Sequence, residues 1–319
     1  MENVGAIVLA AGQGKRMQAS KPKVAHTALG KPMIIWSLDC LKHLGVRQIQ
    51  VVVSPVQTEV QDLIDRYKAK NRELEIGVTF QAQPQGTGHA AKLGFADLWP
   101  LLAGAKSDSA ESKDVLVVTG DTPLLTSDTL RAFLTHHKRA GFEASLIAFT
   151  AANPFGYGRV LCDDLGNFLS IREEKDCSES ERLETLCNSG VLCVRAGVMG
   201  SLLDQISQNN ASKEYYLTDL PALLRLANGK VGVFRSSDAQ EFEGVNTQLQ
   251  LAAASRVLLQ RVLHKRLAEG VQFECLETVY VEESVCFGKD VIVEPFVSLR
   301  GDIAIPDATR VKSGTGLVR

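Results

Sequence analysis

The segment Ile-Val-Leu-Ala-Ala-Gly-Gln-Gly-Lys-Arg-Met-Gln-Ala-Ser-Lys-Pro-Lys, from Ile7 to Lys23, constrains the fold more than any other part of the chain. An apolar run of strand length breaks into a turn at Gly12 and Gly14, and the cations Lys15, Arg16, Lys21 and Lys23 follow. Small residues let a phosphorylated ligand lie against the backbone, and the basic groups meet its charge. Position excludes two look-alikes. A dinucleotide fingerprint needs a third glycine where Met17 stands and an acidic residue about 20 residues further on. A P-loop needs Gly-Lys followed by Ser or Thr, and Gly14-Lys15 is followed by Arg16. Two readings remain: a basic surface turn, or a strand–loop–helix whose Gly12, Gly14, Arg16 and Lys23 face one ligand.

Strand-like segments at Val4–Ala10, Gln48–Val53, Ile76–Ala82 and Asp114–Thr119 alternate with helix-like segments at Pro32–Leu44, Val56–Lys68, Gly88–Leu98 and Ser127–Arg139. This alternation predicts an α/β fold with a Rossmann-like, mostly parallel sheet covered on both faces. Such sheets bind ligands at the carboxyl ends of their strands, where the Gly12 loop and Gly120-Asp121 both fall. Ala103–Lys113 is small, polar and charged and reads as a mobile surface insertion. Short strands at Ala144–Thr150, Arg159–Cys162, Phe168–Arg172 and Val191–Val194 read as hairpins beside the main sheet, a lid or sugar pocket. Thr247–Leu267 is a long helix with Leu251, Ala254, Leu258 and Val262 at helical spacing, closed by Gly270. Beyond it Val279, Val285, Val291, Val297 and Ile303 recur every six residues, the signature of a left-handed parallel β-helix. About two coils fit, so this stub must lean on the first domain or on a partner chain. The domains are read as 1–246, a linker helix at 247–270 and the truncated β-helix at 271–319.

The 319 residues carry 35 Lys and Arg against 37 Asp and Glu, so bulk charge argues for neither nucleic acid nor an anionic membrane as partner. The amino terminus lacks a basic start followed by a long apolar run, and no segment reaches transmembrane length. Cys40, Cys162, Cys177, Cys187, Cys193, Cys275 and Cys286 are odd in number and form no C-x-x-C pair, which reads as reduced thiols in a cytoplasmic protein. No G-x-S-x-G elbow accompanies Ser189-Gly190, and the histidines show no metal-ligand spacing.

Asp121 follows the strand Val115–Val118, where a carboxylate can hold a hard divalent cation or simply cap the next helix. Asn246 precedes the long helix and also suits a cap. Nothing in the spacing joins the two. Other polar marks are Gln81, Gln85-Gly86-Thr87-Gly88-His89-Ala90, Gly156-Tyr157-Gly158-Arg159, Glu173-Glu174-Lys175-Asp176, Asn188-Ser189-Gly190, Tyr215-Tyr216-Leu217-Thr218-Asp219 and Gly244-Val245-Asn246.

Taken in order with Leu-Ala-Ala-Gly-x-Gly-x-Arg-Met and Pro22-Lys23-Val24-x-His26, these marks resemble the uridylyltransferase domain of the bacterial bifunctional N-acetylglucosamine-1-phosphate uridylyltransferases. The resemblance runs from Leu9 to the first β-helix coils. It implies that Leu9, Ala10, Ala11, Gly12 and Gly14 line a uridine nucleotide, with Gln81, Gly86 and Thr87 on the uracil side and Thr119 and Gly120 in the same pocket. It implies that Arg16 and Lys23 clamp phosphates as the catalytic cations. It implies Mg²⁺ held by Asp121 and Asn246, and N-acetylglucosamine against Gly158, Glu173 and Asn188. The implied reaction joins UTP and N-acetylglucosamine 1-phosphate into UDP-N-acetylglucosamine and pyrophosphate, a cytoplasmic step toward peptidoglycan. Alternatives are another sugar 1-phosphate or nucleotide, or a non-catalytic sugar-nucleotide sensor. Thr119 and Glu174 depart from the family, which usually carries an aromatic residue and a histidine there. Most of the family's β-helix is absent from the sequence, so no acetyltransferase activity is expected. A homo-oligomer through the stub is left open.

Overall fold

In the computed structural model, residues 3–103 and 110–318 are described. They form two compact units: one runs to Ala25 and resumes over Met33–Gly244, the other joins His26–Pro32 to the chain from Val245 onward.

The first unit is built on a nine-stranded sheet. Strands β1 (Val4–Leu9), β4 (Gln48–Val53), β5 (Glu75–Phe80) and β6 (Asp114–Thr119) pair in parallel in the order β6-β1-β4-β5, while the short β2 (Thr27–Ala28) and β3 (Lys31–Pro32) belong to the second unit. On the far side of β6 lies β10 (Leu186–Arg195), antiparallel, then β7 (Ala144–Thr150), antiparallel to β10, then β11 (Val231–Ser236), parallel to β7. Strands β8 (Arg159–Cys162) and β9 (Phe168–Arg172) form an antiparallel pair attached to β10. The expectation of hairpins beside the sheet therefore holds for β8 and β9 alone. Ala144–Thr150 and Val191–Val194 are interior strands, because both are buried on both faces and need cover from each side.

Alternation along the strands divides the core. Ala6, Val8, Ile49, Val51, Leu116 and Val118 pack with helices α1 (Met33–Leu44), α2 (Thr58–Lys70) and α4 (Ser127–Ala140). Ile7, Val52, Val115 and Val117 pack with α3 (Thr87–Ala103), α6 (Ala196–Gln205) and α7 (Leu220–Leu226); α5 (Glu179–Arg182) is one surface turn with a full capping box. Across this second face α3 comes close to the sheet. A Cβ at Gly94 would lie 2.7 Å from Val52 Cγ2 and 2.9 Å from Ile7 Cγ2.

Pro32 is not the first turn of α1. It sits in the two-residue strand β3 (Lys31–Pro32), paired to β2 (Thr27–Ala28), because its fixed φ and missing N–H suit an edge strand as well as a helix start. Of the expected insertion at 103–113, residues 104–109 lie outside the described residues. Ala110–Lys113 is not loose surface: Ala110 is buried, and Lys113 O accepts the Ala196 N–H at 2.8 Å.

One buried polar group ties helix to sheet. His137 Nδ1 lies 2.6 Å from Ser145 Oγ and Nε2 lies 3.3 Å from Asp114 Oδ1. Cys193 completes a metal-capable trio with Asp114 and His137. Burial pushes the Cys193 thiol well up, so it stays protonated, and Lys138 and Arg195 add positive potential beside it. His137, Asp114 and Ser145 read as a hydrogen-bonded bridge between α4 and strands β6 and β7. Burial likewise raises the thiols of Cys162, Cys177 and Cys187, and that of Cys40 to about 12.

In the second unit, α8 (Gln248–Ala268) buries Ala254, Leu258, Val262 and Leu263. The β2–β3 hairpin docks on it, with the Leu29 N–H donating to Ser255 Oγ at 3.3 Å and Lys31 paired to Glu283. Strands β12 (Gln272–Phe273), β13 (Tyr280–Val281), β14 (Cys286–Phe287), β15 (Ile292–Val293), β16 (Ser298–Arg300), β17 (Ala304–Ile305), β18 (Arg310–Val311) and β19 (Gly316–Val318) stack in three parallel ladders. Partners such as Tyr280↔Ser298, Cys286↔Ala304 and Ile292↔Arg310 stand 18 residues apart, which is three hexads per coil. Val279, Val285, Val291 and Val297 are all buried, as are Val281, Val293, Leu299, Ile305 and Val311 two residues further along each hexad. No helix among the described residues is long and apolar enough to cross a membrane.

The close approach of α3 can be tested. Gly94→Val is expected to cost about 1–3 kcal/mol through overpacking against Val52 and Ile7, read as a lowered melting temperature.

Candidate active site

The parallel strands end at one edge, and their ladders run one residue past the strands. The Ala10 N–H donates to Val52 O at 2.8 Å, Gln81 to Val53 O at 2.8 Å, and Gly120 to Leu9 O at 2.9 Å. Three loops thus begin side by side. A cavity of about 320 Å³ opens there. Its wall brings together Leu9, Ala10, Ala11, Gly12, Lys23, Gln81, Gly86, Thr87, Thr119 and Asp121. Val24, Pro84, Ala90 and Glu214 also line it; Val24 and Ala90 stand in the motifs quoted above, whereas no sequence signal marks Pro84 or Glu214.

The glycine loop is held from beneath. Buried Gln57 accepts the Ser54 N–H at 3.1 Å and donates from Nε2 to the Gly12 carbonyl at 3.2 Å. Nothing in the sequence around Gln57 signals this bracket. Met17 is buried and anchors the turn, its N–H donating to Gly14 O at 2.9 Å. Lys23 opens a one-turn 3₁₀ helix whose Val24 and Ala25 are buried, which aims the lysine at the cavity. There it forms an ion pair with Asp121, both side chains largely shielded from solvent. The Gly14 backbone lies against the Lys23 side chain. Arg16 is exposed and stands outside the cavity wall.

Thr119 lines the cavity, and Gly120, which follows it, is not part of the wall. The Thr119 carbonyl accepts from Ser37 Oγ at 3.3 Å and from Thr122 Oγ1 at 3.1 Å. A Cβ at Gly120 would lie 3.0 Å from Ile34 Cδ1 and 3.3 Å from Ala10 Cβ, so the chain turns toward Asp121 under close packing. Opposite, Gly86 has φ +107°, and any side chain there would strike the Tyr215 backbone. That closeness lets the Tyr215 carbonyl accept the Gly88 N–H at 2.7 Å and its own N–H reach Gln85 O at 2.8 Å. The start of α3 is thereby fixed.

Gly158, Glu173 and Asn188 form a second group. The Asn188 N–H donates to Gly158 O at 2.8 Å, and a Cβ at Gly158 would lie 3.6 Å from both Glu173 carboxylate oxygens. Thr218 Oγ1 donates to Glu173 Oε1 at 2.8 Å. Burial raises the Glu173 pKa above its ordinary range; Thr218 opposes this, and Asp219, Asp176 and Glu214 add to it. Buried Arg159 pairs with Glu174 at 2.8 Å, and Glu174 Oε2 accepts the Gly156 N–H at 3.1 Å, which clamps the turn leading to Gly158. Asn246 belongs to the second unit, where its N–H donates to Gln250 Oε1 at 2.8 Å.

A parallel sheet with small residues, a cation and a carboxylate converging at its strand ends defines a nucleotidyltransferase-type fold and site. The chain belongs to the family of MobA-like NTP transferase domains, whose model matches residues 6–184. It is 33% identical over its whole length to the bifunctional protein GlmU of Caldanaerobacter subterraneus subsp. tengcongensis, covering 65% of that protein. It is 35% identical over 99% of its length to the bifunctional protein GlmU of Pelobacter propionicus, again covering 65% of it. The resemblance read from the motifs is thus borne out, and the chain spans about 65% of the length of these curated relatives. A crystal structure assigned as a glucose-1-phosphate thymidylyltransferase of Bacillus anthracis, with sucrose bound, aligns at a TM-score of 0.61. It is 15% identical and the alignment covers 80% of this chain and 94% of that one, which supports the shared fold.

A pH series tests the buried carboxyl. Its folded pKa lies above the unfolded value, so stability is full below the ordinary carboxyl range and falls as pH rises through the folded pKa. Glu173→Gln should remove that loss, giving a higher melting temperature than the parent at about pH 8 and no gain at about pH 4.

Proposed function

We propose that the chain is a sugar nucleotidyltransferase that makes UDP-N-acetylglucosamine and pyrophosphate from UTP and N-acetylglucosamine 1-phosphate. The observation that carries this reading is the Lys23–Asp121 pair in the wall of a cavity lined mostly by small and apolar residues, with Gln81, Thr87, Thr119 and Glu214 as its other polar groups. A triphosphate needs a cation on one side and a hard-metal ligand on the other, and backbone close enough to lie against. The motif resemblance supports the choice of sugar and base, and the family and relatives named above support a nucleotidyltransferase.

An oxygen of the sugar 1-phosphate attacks the α-phosphorus of UTP. One P–O bond forms as the bond to the β-phosphate oxygen breaks, and pyrophosphate departs. No protein nucleophile is required, and the cavity wall offers no cysteine, serine or histidine among the described residues. Catalysis then lies in positioning and in neutralising charge on the transferring phosphoryl group. Lys23 carries the positive charge in the wall, and Arg16, on the exposed flank of the same loop, would meet the outer phosphates. Gln81, Gly86 and Thr87 face the base. Gly158, Glu173 and Asn188 receive the sugar.

Mg²⁺ fits this donor set, since it is bound through one or two carboxylates with substrate phosphates completing the shell. Asp121 offers such a carboxylate in the cavity wall. When bound, the ion would neutralise phosphate charge and stabilise the departing pyrophosphate.

The experiment is pyrophosphate release from UTP and N-acetylglucosamine 1-phosphate, with and without magnesium. Release that persists in excess chelator would overturn the metal assignment. Lys23→Ala is expected to lower kcat about 10²–10³-fold, the usual effect of deleting one charge-stabilising donor, with melting temperature little changed. An unchanged kcat would remove Lys23 from the mechanism.

A further inference from the structure

The sequence marks Gln85-Gly86-Thr87-Gly88-His89-Ala90 as one motif, yet the site described so far gives His89 no part. His89 Nδ1 lies 3.2 Å from Gln81 Nε2, which also donates to the Gly86 carbonyl at 3.0 Å. That carbonyl can only accept, so the Gln81 atom facing it is the amide nitrogen. An amide nitrogen has two hydrogens. The second goes to His89, whose Nδ1 therefore accepts while Nε2 carries the ring proton. Both donors of Gln81 are spent inside the protein. Among the described residues no hydrogen bond engages the Gln81 carbonyl oxygen, and Gln81 lines the cavity, so this acceptor is offered to the cavity contents. The His89 ring is braced by Tyr215, with centroids 6.3 Å apart. A flipped amide would set its oxygen against the Gly86 carbonyl and would also require the His89 ring to move its proton to Nδ1, so the flip loses one hydrogen bond and needs the other tautomer.

We infer that His89 is a positioning residue for base selection: it locks the Gln81 amide with its carbonyl oxygen toward the nucleotide, so the pocket takes a base that presents a ring N–H. Uracil and thymine present one. Cytosine presents a ring-nitrogen acceptor at the same place and is rejected, because two acceptors then face each other without a proton. The inference deepens the proposed function and rests on it for the placement of the base beside Gln81.

Calorimetric titration of the full chain with UTP and with CTP, magnesium present, tests it without requiring turnover. The parent should bind UTP at least about 30-fold tighter than CTP, as expected where a built hydrogen bond is reversed. His89→Ala should raise the UTP Kd about fivefold, the worth of one neutral hydrogen bond, and shrink the UTP/CTP ratio about tenfold. His89→Asn, whose carbonyl accepts where Nδ1 does, should keep the ratio within about twofold. His89→Phe keeps a ring against Tyr215 without an acceptor and should follow the alanine variant; it decides the matter if the alanine variant fails to fold. A merely structural role would shift the melting temperature and both Kd values together and leave the ratio alone. An unchanged ratio in the phenylalanine variant overturns the inference, as does a parent that binds both nucleotides alike or binds neither. A parent that prefers UTP but releases no pyrophosphate with any sugar 1-phosphate overturns the proposed reaction and leaves the role of His89 standing.

Discussion

Everything at the cavity depends on backbone hydrogen bonds that continue past the ends of the parallel strands. Ala10, Gln81 and Gly120 each donate to a neighbouring strand after their own strand has finished. A loop whose first residue is still part of a ladder has lost most of its freedom to wander. Small side chains can then approach a ligand closely without the site losing its shape. The same constraint makes the core beneath expensive to alter, because α3 is seated between Ile7 and Val52 with no room for a side chain at Gly94.

Charge is arranged with comparable economy. The cavity wall carries one cation and two carboxylates, Lys23 against Asp121 and Glu214. Lys23 and Asp121 satisfy each other, which offsets the cost of partly burying both. A triphosphate with its metal would offer each of them a partner of opposite sign, so one pair is exchanged for two. The other group of functional residues follows a different rule. Glu173 is held by a neutral donor, Thr218, among further carboxyls, and burial favours its proton. One region pairs opposite charges, the other shields a carboxyl with a neutral donor.

Much of this was legible in the sequence because the signals are local. Val115–Val118 and Val51–Val53 are apolar runs that must be covered on both faces, and the hexad valines point inward because a hexad is one side of a coil. The Gly12 and Gly120 turns fall at strand ends as expected. What the sequence hid depends on pairing between distant segments. Val191–Val194 and Ala144–Thr150 have the length of hairpin arms, and only their partners reveal them as interior strands. Pro32 suits a helix start and an edge strand equally, and the contact with Thr27 decides. Gln57, Thr218 and His89 hold functional residues in place across 45, 45 and 8 positions of sequence, through side-chain bonds that no composition or period encodes.

The hairpin at His26–Pro32 begins three residues after Lys23, yet it packs with α8 and the β-helix rather than with the sheet that surrounds it in sequence. The polypeptide therefore passes between the two units three times rather than once. A gene trimmed at Gly244 would cut the second unit in two. It would strip the docking surface from a strap just downstream of Lys23 and leave β2 and β3 with nothing to fold onto.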